Sequence, residues 1–328
     1  MPLPAAINEE DVLAIASVRF DVDDASLRPI GHAGSCVYAF TRDDQDCVLR
    51  LLAGDSRSLD QLRGELDWIR YLKAGGICVS APMRSIRNQL YETIEVNDVP
   101  VAAVAFRAAQ GHPPVDFVDE WDDTFYQRWG ELVGHMHTLT KGYHPPDEDS
   151  RRPRWFETED VNLGAHIPAS KTKVGQRCAQ LVERLKTVPE HPDSFGLIHA
   201  DLHRRNFFVN GDQFTVFDFE ACQYSWFAYD IAVSLFHAVM KPPRHADRND
   251  FAKHFMEQFM VGYSRFNDLD GVTLAHFLDF LRLRRVVMYI DMLRYWDLQH
   301  LSESRERFLS EYRHGIEDNT AVLNIDFS

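Results

Sequence analysis

The spacing of apolar positions changes repeatedly along the chain, and each change predicts a new element. Asn8 followed by Glu9, Glu10 and Asp11 predicts a helix start, with a capping side chain and acids at the positive end of the helix dipole. The run SLRPIGHAGSCVYAFTRDDQDCVLRLL is rich in β-branched and aromatic residues, breaks at Gly31 to Gly34 and turns at Asp43 to Asp46, so it predicts strands. Ser58 then opens a segment in which Leu59, Leu62, Leu66, Ile69 and Leu72 recur at helical spacing, and Gly75 and Gly76 close it. Two further strands, Leu90 to Glu95 and Pro100 to Phe106, are predicted around the turn VNDV.

The stretch RAAQGHPP, Arg107 to Pro114, breaks regular structure, and beyond it the pattern becomes mostly helical. Trp121, Phe125, Trp129, Leu132, Val133, Met136 and Leu139 mark one amphipathic helix, Val174 to Lys186 another, and long helical segments follow from Tyr229. Within this part lie the segment LIHADLHRRNFFVN and a predicted strand, FTVFDFE, from Phe214 to Glu220. The basic run LRLRR, Leu281 to Arg285, reads as a solvated helix face. The order of elements predicts an α+β chain of two lobes. Residues 1–106 would form a small antiparallel-sheet lobe with a helix, 107–114 a hinge, and 115–328 a larger, mainly helical lobe.

Composition narrows the partners. A chain of 328 residues is long for one core, which agrees with two lobes. The net charge of −15 argues against a nucleic-acid partner, which needs a clustered positive footprint, and suits a cationic substrate. The five cysteines are odd in number, scattered and without a C-x-x-C pair, so free thiols in a reducing compartment are expected. No uncharged apolar stretch reaches the roughly 18 residues of a membrane span, and the N-terminus has no signal-peptide pattern. A cytoplasmic protein without a membrane or an obligate protein partner is expected.

The segment LIHADLHRRNFFVN admits two chemistries. His199, Asp201 and His203 alternate, as three metal ligands on one strand face would; but His135 and His137, two apart on a helix, make no convincing second cluster. Followed further, the spacing favours a different site. Asn206 lies five residues after Asp201, and Asp218, opening DFE, lies twelve after Asn206. Kinase-type sites space a catalytic aspartate and two magnesium ligands in this way, because magnesium needs only one or two protein oxygens beside waters and phosphate. His203 then reads as a loop hydrogen-bonding residue.

HADLHRRN, followed by FTVFDFE and YDIA, resembles the signature of the aminoglycoside phosphotransferase and choline kinase superfamily, and is most similar to its homoserine kinase and bacterial stress-response kinase branch. The resemblance implies a two-lobed protein-kinase-like fold that uses ATP and Mg2+ to phosphorylate a hydroxyl. It implies Asp201 as the catalytic aspartate, Asn206 and Asp218 as metal ligands, and His199 and Asp230 as supports of the loop. Ala200 departs from the family's more frequent glycine.

In the small lobe GHAGSCVY matches the phosphate-covering loop, with Gly34 and Ser35 as contacts. Residues 1 to 72 contain no lysine, so Arg50 in CVLRLL takes the place of the usual strand cation, paired with Glu65; Arg57 and Arg63 are substitutes. Phe106, the Arg107 carbonyl and the Ala109 amide would border the adenine. Glu220, Asp291 and Trp296, with Asp297, Tyr289 and Tyr295 nearby, are candidates to hold an amine-bearing acceptor. The expected activity is ATP-dependent phosphorylation of a small, amine-bearing molecule of the homoserine, choline or aminoglycoside kind. The alternatives are a Ser/Thr protein kinase of the stress-response type and a non-catalytic nucleotide-binding regulator.

Overall fold

A computed structural model describes residues 3–4, 7–30, 36–54, 56–158, 161, 167, 173–240, 242 and 247–325. The chain divides into two compact units. One comprises Met1–His112, Tyr143–Arg151 and Phe208–Glu220; the other comprises Pro113–Gly142, Arg152–Phe207 and Ala221–Ser328. The smaller unit thus takes in two short segments from beyond residue 114.

The smaller unit begins with α1, Glu9–Phe20, whose Asn8 cap accepts from the Glu10 amide at 3.1 Å. Strands β1 (Arg28–Pro29), β2 (Val37–Arg42) and β3 (Gln45–Ala53) follow, then α2 (Ser56–Ala74), β4 (Pro82–Met83), β5 (Glu92–Val96) and β6 (Val99–Arg107). They form one antiparallel sheet in the order β1-β2-β3-β6-β4, with β5 also on β6. The register sets Arg50 opposite Val104 and Val37, in the middle of the sheet. Alternation along β3 buries Cys47 and Leu49, and α1 covers that core with Val12, Ala16 and Phe20.

The larger unit opens with a 3-10 segment, Pro114–Glu120, and α3, Asp123–Thr140, capped by Asp122. α4 (Lys173–Leu185) precedes β7 (Phe195–Ile198); the next strand pair, β8 (Phe207–Asn210) and β9 (Gln213–Val216) around a tight turn, falls from Phe208 onward in the smaller unit. β10 (Gln223–Trp226) pairs antiparallel with β7. Then come α5 (Phe227–Met240), α6 (Arg248–Tyr263), one helical turn at Gly271–Leu274, α7 (Phe277–Tyr295) and α8 (Glu303–Glu317). α3 and α6 cross closely because Gly130 and Gly262 face the opposite backbone; a Cβ at either would overlap a main-chain carbonyl of the partner helix.

Two expectations need correction. The strand predicted to Glu220 stops at Val216, because Asp218 takes a left-handed conformation (φ 63°) and Phe219–Ala221 form a 3-10 turn. The run LRLRR is not a solvated face: Arg284 is buried, Arg282 pairs with Asp279 at 2.7 Å, and Arg285 donates to the carbonyls of Gly315 and Thr320 at 3.0 and 2.8 Å. Among the described residues no helix is long and apolar enough to cross a membrane, and all five cysteines are free.

Candidate active site

The smaller unit encloses a cavity of about 580 Å³, within the range that holds a nucleotide-sized ligand. Its walls are mainly apolar, from Ile30, Val37, Ala39, Val48, Leu51 and Phe106, with Ala108 and Ala109 at the end of β6 and the 208–220 segment opposite. Arg50 and Glu65 are among its charged residues, with Arg28, Asp46, Asp218 and Glu220. The Arg50 and Glu65 side chains meet at 2.7 Å, both buried, with the guanidinium 5.3 Å over the Phe106 ring. Burial disfavours the arginine's charge, but Glu65, Glu220 and Asp218 more than offset it and hold the group firmly protonated. The Arg50 Nε–H has no acceptor among the described residues, as expected of a donor kept for a ligand oxygen. Arg63, the alternative cation, is committed to Asp147 at 2.6 Å.

Other predicted nucleotide contacts are placed unevenly. Gly34 and Ser35 lie outside the described residues, as does the Arg57 side chain. The Arg107 carbonyl accepts the Ser80 hydroxyl, and the Ala108 amide donates to Asp46 at 3.0 Å, so two of the backbone groups nearest the expected adenine edge already have protein partners. Asp218 and Glu220 line the cavity, with the intervening Phe219 buried edge-on against Trp68 of α2 at 5.5 Å. That packing fixes the turn carrying both acids. It also places Glu220, expected at the acceptor, on the wall of the Arg50 cavity.

In the larger unit the loop after β7 is held from beneath. Asp230, near the start of α5, accepts from the amides of His199 at 3.2 Å and Ala200 at 2.9 Å, and meets His137 Nε2 at 3.2 Å. Those contacts let Ala200 adopt φ 64°, a left-handed conformation that its Cβ opposes. His199 is buried, and its Nδ1 accepts from the Asp201 amide at 3.3 Å. Asn206 Nδ2 donates to both the Asp201 carboxylate and carbonyl at 2.9 Å, which leaves its amide oxygen as the atom for a hard cation. His199, Asp201 and Asn206 are therefore gathered on one loop, which Asp230 braces from α5.

Arg284 was not anticipated. From α7 its Nη2 donates to Asp201 Oδ1, while Nε and Nη2 donate to His237 Nε2 at 3.0 and 2.7 Å. Burial opposes the Asp201 charge, but Arg284, His203 and His199 hold the carboxyl below its usual range. His237 is pushed well below the usual histidine range by burial and then by Arg284, so the ring is neutral and can accept. Ligand-type atoms of Asp201, His203 and His237 do lie within 4.8 Å of one another. A guanidinium bonded to two of the three makes this cluster a charge pair rather than a cation seat. His203 behaves as a loop residue, its Nδ1 accepting from the Arg205 amide at 3.3 Å. Among the acceptor candidates, Asp291 adds to the negative potential at Arg284, whereas Trp296 lies tilted against Phe308 at 6.4 Å and under the Arg305 guanidinium at 5.3 Å.

The antiparallel small unit with its buried arginine–glutamate pair, and the helical unit carrying the HADLHRRN loop, define a kinase-like phosphotransferase. The family model for the phosphotransferase enzyme family matches residues 26–269, and the chain belongs to that family, as its motifs implied. Amicoumacin kinase of Bacillus subtilis (strain 168) is 33% identical over 98% of this chain and 96% of its own length. The solved structure of amicoumacin kinase hAmiN in complex with AMP-PNP, Ca2+ and Ami superposes with a TM-score of 0.92 at 32% identity, covering 98% of this chain and 97% of that one. Homoserine kinase of Pseudomonas aeruginosa (strain LESB58) is 27% identical over 33% of this chain and 34% of its own. The protein is an enzyme, a kinase that uses ATP and a divalent cation to phosphorylate a hydroxyl group of a small molecule.

Proposed function

We propose that the acceptor is amicoumacin or a close analogue, an amine-bearing small molecule. The observation that carries this reading is the end-to-end likeness to amicoumacin kinase, against a likeness to homoserine kinase confined to one third of the chain.

In this reading Arg50, held by Glu65, faces the phosphates of ATP in the cavity of the smaller unit, and the apolar walls take the base. Asn206 and Asp218, the oxygen donors that the family motif implies, would hold a divalent metal, which would supply charge neutralisation on the phosphates. Asp201 aligns the acceptor hydroxyl and takes its proton as the γ-phosphoryl group transfers. His199 and Asp230 hold the loop, and Asp291 is the carboxylate offered to the acceptor's ammonium. A base weakened by a neighbouring guanidinium suits a loose phosphoryl-transfer transition state, where alignment outweighs basicity.

A coupled ADP-release screen tests the assignment. Amicoumacin A should stimulate release from ATP and Mg2+ far more than homoserine, choline, an aminoglycoside or a generic protein. Preference for homoserine, or for the protein, would replace this acceptor with that one.

A further inference from the structure

We propose that Arg284 is a positioning residue for Asp201, and that neutral His237 holds it in place. The inference rests on Asp201 being the residue that aligns the acceptor. A carboxylate turns freely about its last bond, because that torsion has broad wells, and one hydrogen bond restrains it poorly. Here each oxygen has its own donor from a different element. Asn206, on the same loop, holds Oδ2 at 2.9 Å, and Arg284, from α7, holds Oδ1. Two fixed donors set the plane of the group and so the direction of its remaining lone pairs.

The guanidinium is itself fixed. It is planar, its donors diverge in a rigid fork, and it lies in the interior with only 6% of its side chain exposed. Two of its nitrogens converge on His237 Nε2, which must be an unprotonated acceptor to receive them, with the ring proton on Nδ1. The His237 ring is braced in turn by the His203 ring, centroids 4.5 Å apart. A lysine could supply the charge and the donors, but not in a rigid planar fork that fixes both directions at once. This separates positioning from a plain ion pair.

The test uses purified full-length enzyme, with ADP release measured with amicoumacin A and, separately, with water as the only acceptor. Arg284→Ala should lose about 100-fold in kcat, the scale of a small misplacement of a reacting group, with ATP affinity within about twofold, because a positioning defect leaves ground-state binding intact. Arg284→Lys should unfold at nearly the wild-type temperature yet stay below about a tenth of wild-type kcat, since it lacks the fork. Millimolar guanidinium should restore Arg284→Ala at least about tenfold by refilling the site and do nothing for Asp201→Asn. His237→Gln, which keeps an acceptor, should outperform His237→Phe.

Near-wild-type kcat in Arg284→Ala or Arg284→Lys would overturn the proposal, as would Arg284→Ala losing nucleotide binding and turnover together without recovery in guanidinium. If wild-type enzyme ignores amicoumacin A, the acceptor assignment fails, and the same contrasts are read from release into water. Full turnover by Asp201→Asn would overturn the role of Asp201 and this proposal with it.

Discussion

Each unit has an arginine–carboxylate pair among its candidate site residues, and the two pairs are built in opposite senses. In the smaller unit both members lie on the cavity wall, with Glu65 the more deeply buried at 3% and Arg50 the more accessible at 10%. In the larger unit Arg284 is hidden, 6% exposed, and the carboxylate of Asp201 is the open member at 26%. A buried ion pair loses much of its attraction to desolvation, so its worth lies less in stability than in holding one member still. In the proposed mechanism the more accessible member of each pair carries the chemistry: a cation for phosphate in one unit, a carboxylate for a hydroxyl in the other.

That contrast predicts different consequences for breaking each pair. Asp201→Asn removes the working group, and turnover should fall about 1000-fold, in the range of a lost general base, while nucleotide titration shows unchanged affinity. Glu65→Gln removes only the holder. It leaves Arg50 buried without its nearest counter-charge and should cost about 3 kcal/mol in urea unfolding, with weakened nucleotide binding.

The larger unit also carries buried neutral histidines, and these should make it sensitive to acid. Burial is the main cause that lowers both His237 and His137 below the ordinary 6.5. A histidine whose folded pKa is depressed binds its proton better when unfolded, so its contribution is complete above pH 6.5 and is lost as pH falls below it. Stability should therefore drop between pH 7 and pH 5, each group adding a slope of up to about 1.4 kcal/mol per pH unit. His237→Gln should flatten the curve; an unchanged slope would remove His237 as a source. The smallest effect belongs to Ala200, whose left-handed backbone glycine adopts without strain. Ala200→Gly should raise stability by about 0.5 kcal/mol, strain relief outweighing the added freedom of the unfolded chain.

The two pairs also differ in how visible they were in the sequence. Arg50 was found because a strand lacking lysine left one cation in the required place, and Glu65 because it sits on the next helix. Asp201 and Asn206 stood out by their short, fixed spacing, and Asp230 by the resemblance of YDIA to the family signature. Arg284 lies 83 residues from Asp201, and alternating leucine and arginine looks like a wet helix face. A usable signal was present: FLDFLRLRRVVMYIDMLRY has apolar residues around its whole circumference, so a mid-helix cation is expected to be enclosed. The adenine edge stayed poorly resolved for another reason. Backbone groups carry no side-chain signature, and Ser80, which engages the Arg107 carbonyl, approaches from a separate segment.

The most direct test of the account is the mass of amicoumacin A after incubation with ATP, Mg2+ and either wild-type enzyme or Asp201→Asn. The account predicts an increase of one phosphoryl group with wild type, and unmodified compound with the variant despite normal nucleotide binding. Unmodified compound with wild type, or equal phosphorylation by both enzymes, would contradict it.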